Sequence, residues 1–275
     1  MISIFAKEKF IGSRHRHLMR VSSIIRGEQI AEKIGAKLNP ESGYENDICI
    51  YVKPHVVPGN DFKFEGKKAY IDIIDGWRLL PLLKMHPEVG VVACSQSDYD
   101  FLSEELINKI VLIPQHHCNF ERQYRKRSGV KRIGVIGVEE AFNYLPKNLE
   151  KELKERGIEL VKYSNFKTRQ DIVDFYMSID LQIVWRPYKH RMSNPLKLIN
   201  AAAFGIPTIA LNEKTFSLEM KSFYYGVDTL EELLERVDWL TENPNTYNGL
   251  SVRCSLAAES YHIDYIAGMY KELDK

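Results

Sequence analysis

Long apolar runs are missing from this chain. None approaches the stretch of about eighteen residues that a membrane-spanning helix needs, which argues against an integral membrane protein of the helical kind. Met1 leads straight into the strand-like run Ile2 to Ala6, not into the basic-then-apolar pattern of a secretory leader. A surplus of charge is missing too. Lys and Arg number 38 against 37 Asp and Glu, a formal net charge of +1, so no global field recruits nucleic acid or an anionic membrane. Cysteine is sparse and scattered: Cys49, Cys94, Cys118 and Cys254, with no C-x-x-C pair. Buried, reduced thiols in a cytoplasmic protein are the expectation. Repeats and low-complexity tracts are absent. So is the dinucleotide fingerprint. Gly134 and Gly137 in RIGVIGVEEA do not complete G-x-G-x-x-G, and Glu139 and Glu140 stand where a pyrophosphate would approach, which argues against NAD.

What the chain does have is an alternation of short apolar runs and helix-length amphipathic segments. Its 275 residues, 44% of them hydrophobic, suit one large domain or two of ordinary size. In the first half, strands are expected at Ile2 to Ala6, Asp47 to Val52, Lys68 to Ile74, Val89 to Cys94 and Lys109 to Ile113. Helices are expected at Arg14 to Ile34 and Asp98 to Ile107. The polar, basic stretch Glu121 to Lys131 reads as a linker. As alternatives it is a solvated loop, or a patch that touches an anionic acceptor or a membrane surface. The second half repeats the pattern. Strands are expected at Arg132 to Ile136, Ile158 to Tyr163, Leu181 to Trp185 and Thr208 to Leu211. Helices are expected at Pro146 to Arg156, Thr168 to Ser178, Leu196 to Phe204, Thr229 to Leu240 and Ser255 to Leu273, and Glu213 to Ser222 reads as an acidic loop or helix. Thr168 with Asp171 approximates a capping box. Strands alternating with helices imply parallel sheets with helices on both faces, hence an α/β class.

The densest information lies in Leu181 to Leu211, LQIVWRPYKHRMSNPLKLINAAAFGIPTIAL. An apolar strand enters a loop holding Arg186, Lys189, His190, Arg191 and Ser193. Asn194 and Pro195 occupy N-cap and first-turn positions. Gly205 is placed to end the helix left-handed, ahead of Pro207 and a buried strand. A helix amino end among cations is an anion seat, most often for phosphate. Lys197 lies in the first helical turn, a sensible place for a phosphate ligand. The bland reading is a βαβ crossover of some other doubly wound protein, in which Ala201, Ala202 and Ala203 merely pack the helix on the sheet.

Pro195, Leu196, Ala201, Ala203, Gly205, Pro207 and Ile209 match the P-L-x-x-x-E-A-M-A-x-G-x-P-V-I helix of GT-B glycosyltransferases, and the segment resembles their nucleotide-sugar-binding stretch. The resemblance is to group 1, retaining-type relatives, in the surface-polysaccharide subgroup with a K-L-I-N-A-like form. It implies two Rossmann-like domains facing across a cleft: 1–122 on the acceptor side and reduced in size, 123–254 for the nucleotide sugar, and 255–275 as a helix packing back on the first. Retaining members carry two glutamates eight positions apart. Here those positions are Met192 and Asn200. Asn200 can still hydrogen-bond a ribose, neutrally and more weakly, and Met192 cannot.

The rest of the expected site follows from the rule that ligands of open parallel sheets bind outside the strands' carboxyl ends. Donor binding, phosphates included, falls to Arg186, His190, Ser193, Asn194, Lys197, Asn200 and the glycine turn at Gly137. Ser13, Arg14 and Arg16, heading the first helix, face the acceptor, or are surface charge. Asp75 is the expected catalytic carboxylate, able to accept the acceptor's proton in an inverting reaction, though Asp75-Gly76 equally reads as a turn. In an apolar run, Asp72 must be hydrogen-bonded. IPQHH resembles the family's interdomain motif. It gives His117 an acceptor-side or hinge place, and adjacent His116, His117 and Cys118 do not suit a metal.

The resemblance therefore implies an enzyme, expected to be cytoplasmic, that moves a sugar from a nucleotide-diphosphate donor to a saccharide or surface-glycan acceptor. It implies no metal, no cofactor and no nucleic-acid partner, with peripheral membrane contact only through a lipid-linked or surface acceptor. It specifies no oligomer. The competing readings are a GT-B-like binding or scaffold protein that has lost chemistry, and a GT-B-shaped sugar-nucleotide epimerase.

Overall fold

The computed structural model describes residues 1–7, 22–56, 62–127, 129–187 and 194–274. In chain order its elements are β1 (Ile2–Phe5), α1 (Gln29–Ile34), β2 (Lys37–Leu38), β3 (Ile48–Val52), β4 (Lys68–Asp72), α2 (Leu80–Met85), β5 (Gly90–Ala93), α3 (Gln96–Glu105), β6 (Ile110–Leu112), β7 (Arg132–Ile136), α4 (Leu149–Glu155), β8 (Glu159–Tyr163), α5 (Arg169–Ser178), β9 (Leu181–Val184), α6 (Leu196–Ala203), β10 (Thr208–Leu211), α7 (Lys214–Glu219), β11 (Tyr224–Val227), α8 (Leu230–Glu242), α9 (Pro244–Ala258) and α10 (Ile263–Glu272). They form two units. One is Met1–His116 with Ile263–Lys275, and Asn194 counts with it. The other is His117–Lys189 with Pro195–His262.

The first unit carries a six-stranded sheet in the order β2-β1-β3-β4-β5-β6, and every ladder in it is parallel. β3 and β5 are buried along their length and β4 over Tyr70–Asp72, as expected of parallel strands covered on both faces. Beneath them, Arg26 and Asp72 form an ion pair at 2.8 Å with both side chains fully buried. Arg26 also donates to the carbonyls of Ile113 and Pro114, and the Tyr270 hydroxyl of α10 donates to Asp72 at 2.6 Å. The sequence placed Asp72 correctly as a carboxylate in need of partners. It did not identify them. Arg26 lies in a π-helical stretch, Ser23–Glu28, whose residues Ser23 to Gly27 are all buried. Arg26 stands four residues before the buried Ile30, so helical spacing puts both on the core face.

The second unit carries a five-stranded parallel sheet, β11-β10-β9-β7-β8. A continuous core of Ile133, Leu153, Ile183, Leu198, Ile209, Leu233 and Val237 packs helices on it. Thr168 caps α5 as a complete capping box. Its Oγ1 accepts from the Asp171 N–H, and the Asp171 carboxylate accepts from the Thr168 N–H at 2.8 Å. Aspartate thus performs the return bond usually made by Glu or Gln. Thr168→Ala is expected to cost about 1 kcal/mol, read as a lower urea midpoint with an unchanged denaturant slope. Gly205 ends α6 at φ +64, and a Cβ there would stand 2.7 Å from Ser251 Oγ. Both facts require glycine.

The closing segment differs from a single helix over Ser255 to Leu273. α9 runs to Ala258, a 3-10 turn covers Glu259–Tyr261, and His262 is extended at φ −67 and ψ 146 before α10 begins. The break is held in place. The His117 N–H donates to the Tyr261 carbonyl, His262 Nε2 bonds the Phe120 carbonyl, and the His117 and His262 rings meet edge to face at 5.2 Å. The stretch read as a linker is likewise docked. Arg127 is buried and donates to the carbonyls of Tyr176, Ile179 and Phe204, at the carboxyl ends of α5 and α6. That is where a cation opposes the helix dipole best. All four cysteines are buried and free, and burial pushes the Cys49 thiol up to about 11 and the Cys118 thiol up to about 12.

Candidate functional site

In the second sheet β7 lies beside β9, while β8 flanks β7 and β10 flanks β9. The chain therefore leaves these two central strands in opposite directions, which makes their carboxyl ends the place where open parallel sheets bind ligands. Gly137 follows β7 and stays tied to the sheet, its N–H donating to the Tyr163 carbonyl at 3.1 Å. Trp185 and Arg186 follow β9. The helix α6 starts beside them, with the Pro195 carbonyl accepting from Leu198 and Ile199. Lys197, in the first turn of α6, reaches the glycine turn: a Cβ on Gly137 would be 3.2 Å from Lys197 Nζ. The switch point, the glycine turn, the helix amino end and an ammonium group thus coincide. This combination suits an anion. Glu139 and Glu140 open a 3-10 turn just after Gly137, so the favourable side of the seat is the lysine side.

Other expected site residues have different places. Arg186 pairs with Glu213 at 2.5 Å, with its guanidinium 5.2 Å above the Phe216 ring, so its charge is matched from within the fold. Sequence reading missed Glu213, which lay in the segment expected only to be acidic. Asn194 does not cap α6. Pro195 takes the N-cap place with no side-chain bond, and the Asn194 amide donates to Gln115. Asn200 is buried, its Oδ1 accepting from the Cys118 N–H at 2.9 Å. It fastens α6 to the 117–119 segment, as does Asn119, whose amide donates to the Ala203 carbonyl. His117 is also buried, its Nδ1 accepting from the Asn119 N–H. Asp75 is exposed in a turn at φ +51, a conformation that aspartate tolerates better than most residues. Ser13, Arg14, Arg16, His190 and Ser193 lie outside the described residues, and so does Met192.

The first sheet has its own switch point, between β1 and β3, with β2 beyond β1. A cavity of about 420 Å³ opens there, lined by Phe5, Lys7, Asn39, Tyr51, His55 and Phe62 among others. Phe5 and Tyr51 stack at 5.0 Å, and Phe62 meets Tyr51 edge-on at 5.2 Å. Sequence reading singled out none of these residues. The available signal was an aromatic residue near the carboxyl end of two successive buried strands. Among the described residues, no three His, Cys, Asp or Glu side chains gather as a metal set, and no helix is long and apolar enough to cross a membrane.

No protein family's model matches the sequence, and no curated protein does. Solved structures match its shape. A glycosyltransferase from Rickettsia africae superposes with a TM-score of 0.64 at 12% identity, over 99% of this chain and 97% of that one. HepE of Anabaena, solved in complex with UDP and glucose, gives 0.60 at 10% identity over 99% and 98%. TarM gives 0.60 at 12% identity over 82% of this chain, which spans 54% of TarM. The fold is that of the GT-B glycosyltransferases, with two Rossmann-like parallel-sheet units.

Proposed function

We propose that this protein is a glycosyltransferase that takes a nucleotide-diphosphate sugar as donor and a saccharide or surface glycan as acceptor. The observation that carries the reading is the approach of Lys197 Nζ to the Gly137 turn at the β7/β9 switch point. A diphosphate placed there meets an ammonium group and the positive end of α6. Both stabilise the charge that grows on the leaving group as the glycosidic bond to it breaks. The UDP-glucose complex of HepE, a protein of the same fold, supports a nucleotide-sugar donor. The aromatic cavity of the first unit fits the acceptor, because faces such as Phe5 and Phe62 offer apolar surface to a sugar ring while Lys7, Asn39 and His55 offer polar groups. Asp75 is the proposed proton acceptor. Asp75→Asn is expected to lower transfer at least tenfold with donor affinity unchanged. Sugar release from UDP- and GDP-linked donors against a panel of acceptors, beside calorimetry with the same donors, checks both halves of that statement.

A second reading has its own support. Asn200 stands where the resemblance expects the ribose-binding glutamate, and its carbonyl oxygen is committed to Cys118. A protein that binds the donor without transferring from it would show this feature. Donor affinity without either transfer or donor hydrolysis, across the acceptor panel, selects that reading.

A further inference from the structure

The opposite end of the second sheet carries a feature that glycosyl transfer does not use. Lys131 and Arg132 open β7, Asp180 immediately precedes β9, and the basic stretch Arg125 to Arg127 passes beside them. Together they line a cavity of about 380 Å³, room for about a dozen waters. β7 is five residues long, so the cavity and the Gly137 turn lie about 16 Å apart along one strand.

The charges of this cavity do not balance. Its lining includes Arg125, Lys126, Arg127, Lys131 and Arg132 and a single carboxylate, Asp180. Asp180 is already committed three times. Its Oδ2 accepts from the Lys131 and Arg132 N–H groups at 2.9 Å each, and its Oδ1 accepts from Arg125 at 2.5 Å. Arg127 is bound to carbonyl oxygens, and Arg132 is held by Glu159 and the Ser178 carbonyl. Lys126 and Lys131 are exposed, and neither ammonium has an ion-pair partner among the described residues. The Nε of Arg125 is buried and has no hydrogen-bond partner. Two exposed lysines thus line a concavity whose one carboxylate is already engaged. Burial and the neighbouring Arg125 both hold the Arg127 guanidinium below its ordinary value, while other neighbours partly offset this.

We propose that this cavity is a second anion site, built for a compact group with two or more phosphates and separate from the donor seat. Its ligands are Lys126 and Lys131. The site needs neither Lys197 nor transfer activity, so it stands or falls apart from the proposed function.

Pyrophosphate is the probe. Calorimetry on the full chain is expected to show binding that survives Lys197→Ala and weakens at least tenfold in Lys126→Ala/Lys131→Ala. Both lysines are exposed, so the double variant is expected to melt with the wild type. Should it not fold, Lys126→Gln and Lys131→Gln made singly are each expected to weaken binding severalfold. Cosedimentation with phosphatidylglycerol vesicles separates the sources of phosphate. Pyrophosphate binding without cosedimentation marks a free anion. Cosedimentation that pyrophosphate reverses marks a lipid headgroup in the same cavity. Three results overturn the site: pyrophosphate affinity unchanged in the lysine variants, its complete loss in Lys197→Ala, or vesicle binding that pyrophosphate neither matches nor reverses.

Discussion

Asp72→Ala is expected to destabilise the first unit by about 3–5 kcal/mol, a large part of what holds a domain of this size together. The size follows from what is left behind. Arg26 and Asp72 are both fully buried, and the guanidinium is held above its ordinary value. Burial alone would pull it down, and the charges of Asp72, Tyr270 and Cys94 together with the Asp72 hydrogen bond outweigh that. Removing the carboxylate leaves a cation with no counter-ion and no water, and removes the acceptor of the Tyr270 hydroxyl. Tyr270→Phe takes only the hydroxyl and is expected to cost about 1.5–3 kcal/mol. Because Tyr270 is the contact of α10 with this pair, both variants are expected to make the last helix more open to proteolysis than the strands. Urea unfolding followed by fluorescence, with limited proteolysis beside it, reads both. A loss below about 1 kcal/mol for Asp72→Ala would mean that the pair is solvated or replaceable, contrary to its burial.

That pair also shows where reading the sequence reaches its limit. An aspartate inside an apolar run announces a partner, but the arginine that answers it lies 46 residues away in another element, where nothing local names it. Elements with a strong local cause were legible: the buried strands, the Thr168 cap, the glycine end of α6. Those whose cause is tertiary were not. β11 is an edge strand, only partly buried and interrupted by Gly226, so it shows neither alternation nor an apolar run. α2 has Pro81 in its first turn, where proline is tolerated, but a proline among leucines reads as a breaker. The basic stretch from Arg125 to Lys131 reads as solvated charge because the carbonyls that receive Arg127 belong to helix ends about fifty and seventy-five residues away in sequence. At the candidate site, the helix start and the glycine turn were visible separately. Their meeting, and the withdrawal of Arg186 to Glu213 and of Asn200 to Cys118, required the fold.

Lys197→Ala is expected to weaken binding of the donor's nucleoside diphosphate about ten- to a hundredfold, because a hydrogen bond to a charged group is worth about 1.5–3 kcal/mol. Arg186→Ala is expected to do much less to affinity. Its guanidinium is matched by Glu213 and rests on Phe216, so its loss is felt first as stability. The ordering of the two variants is the informative quantity. Two cations near one anion seat would weaken binding comparably, whereas one seated lysine beside one internally paired arginine would not. Gly137→Ala gives an independent check. The added methyl would stand 3.2 Å from Lys197 Nζ, the flexible end of that side chain. The ammonium can swing aside, so a loss of affinity smaller than that of Lys197→Ala is expected. Calorimetric titration of UDP and GDP into the wild type and the three variants yields the series. A larger loss for Arg186→Ala than for Lys197→Ala would move the seat from the α6 end of the β7/β9 switch point toward the loop after β9. The first turn of α6 would then no longer hold the diphosphate, and its dipole would contribute little to the departure of the leaving group.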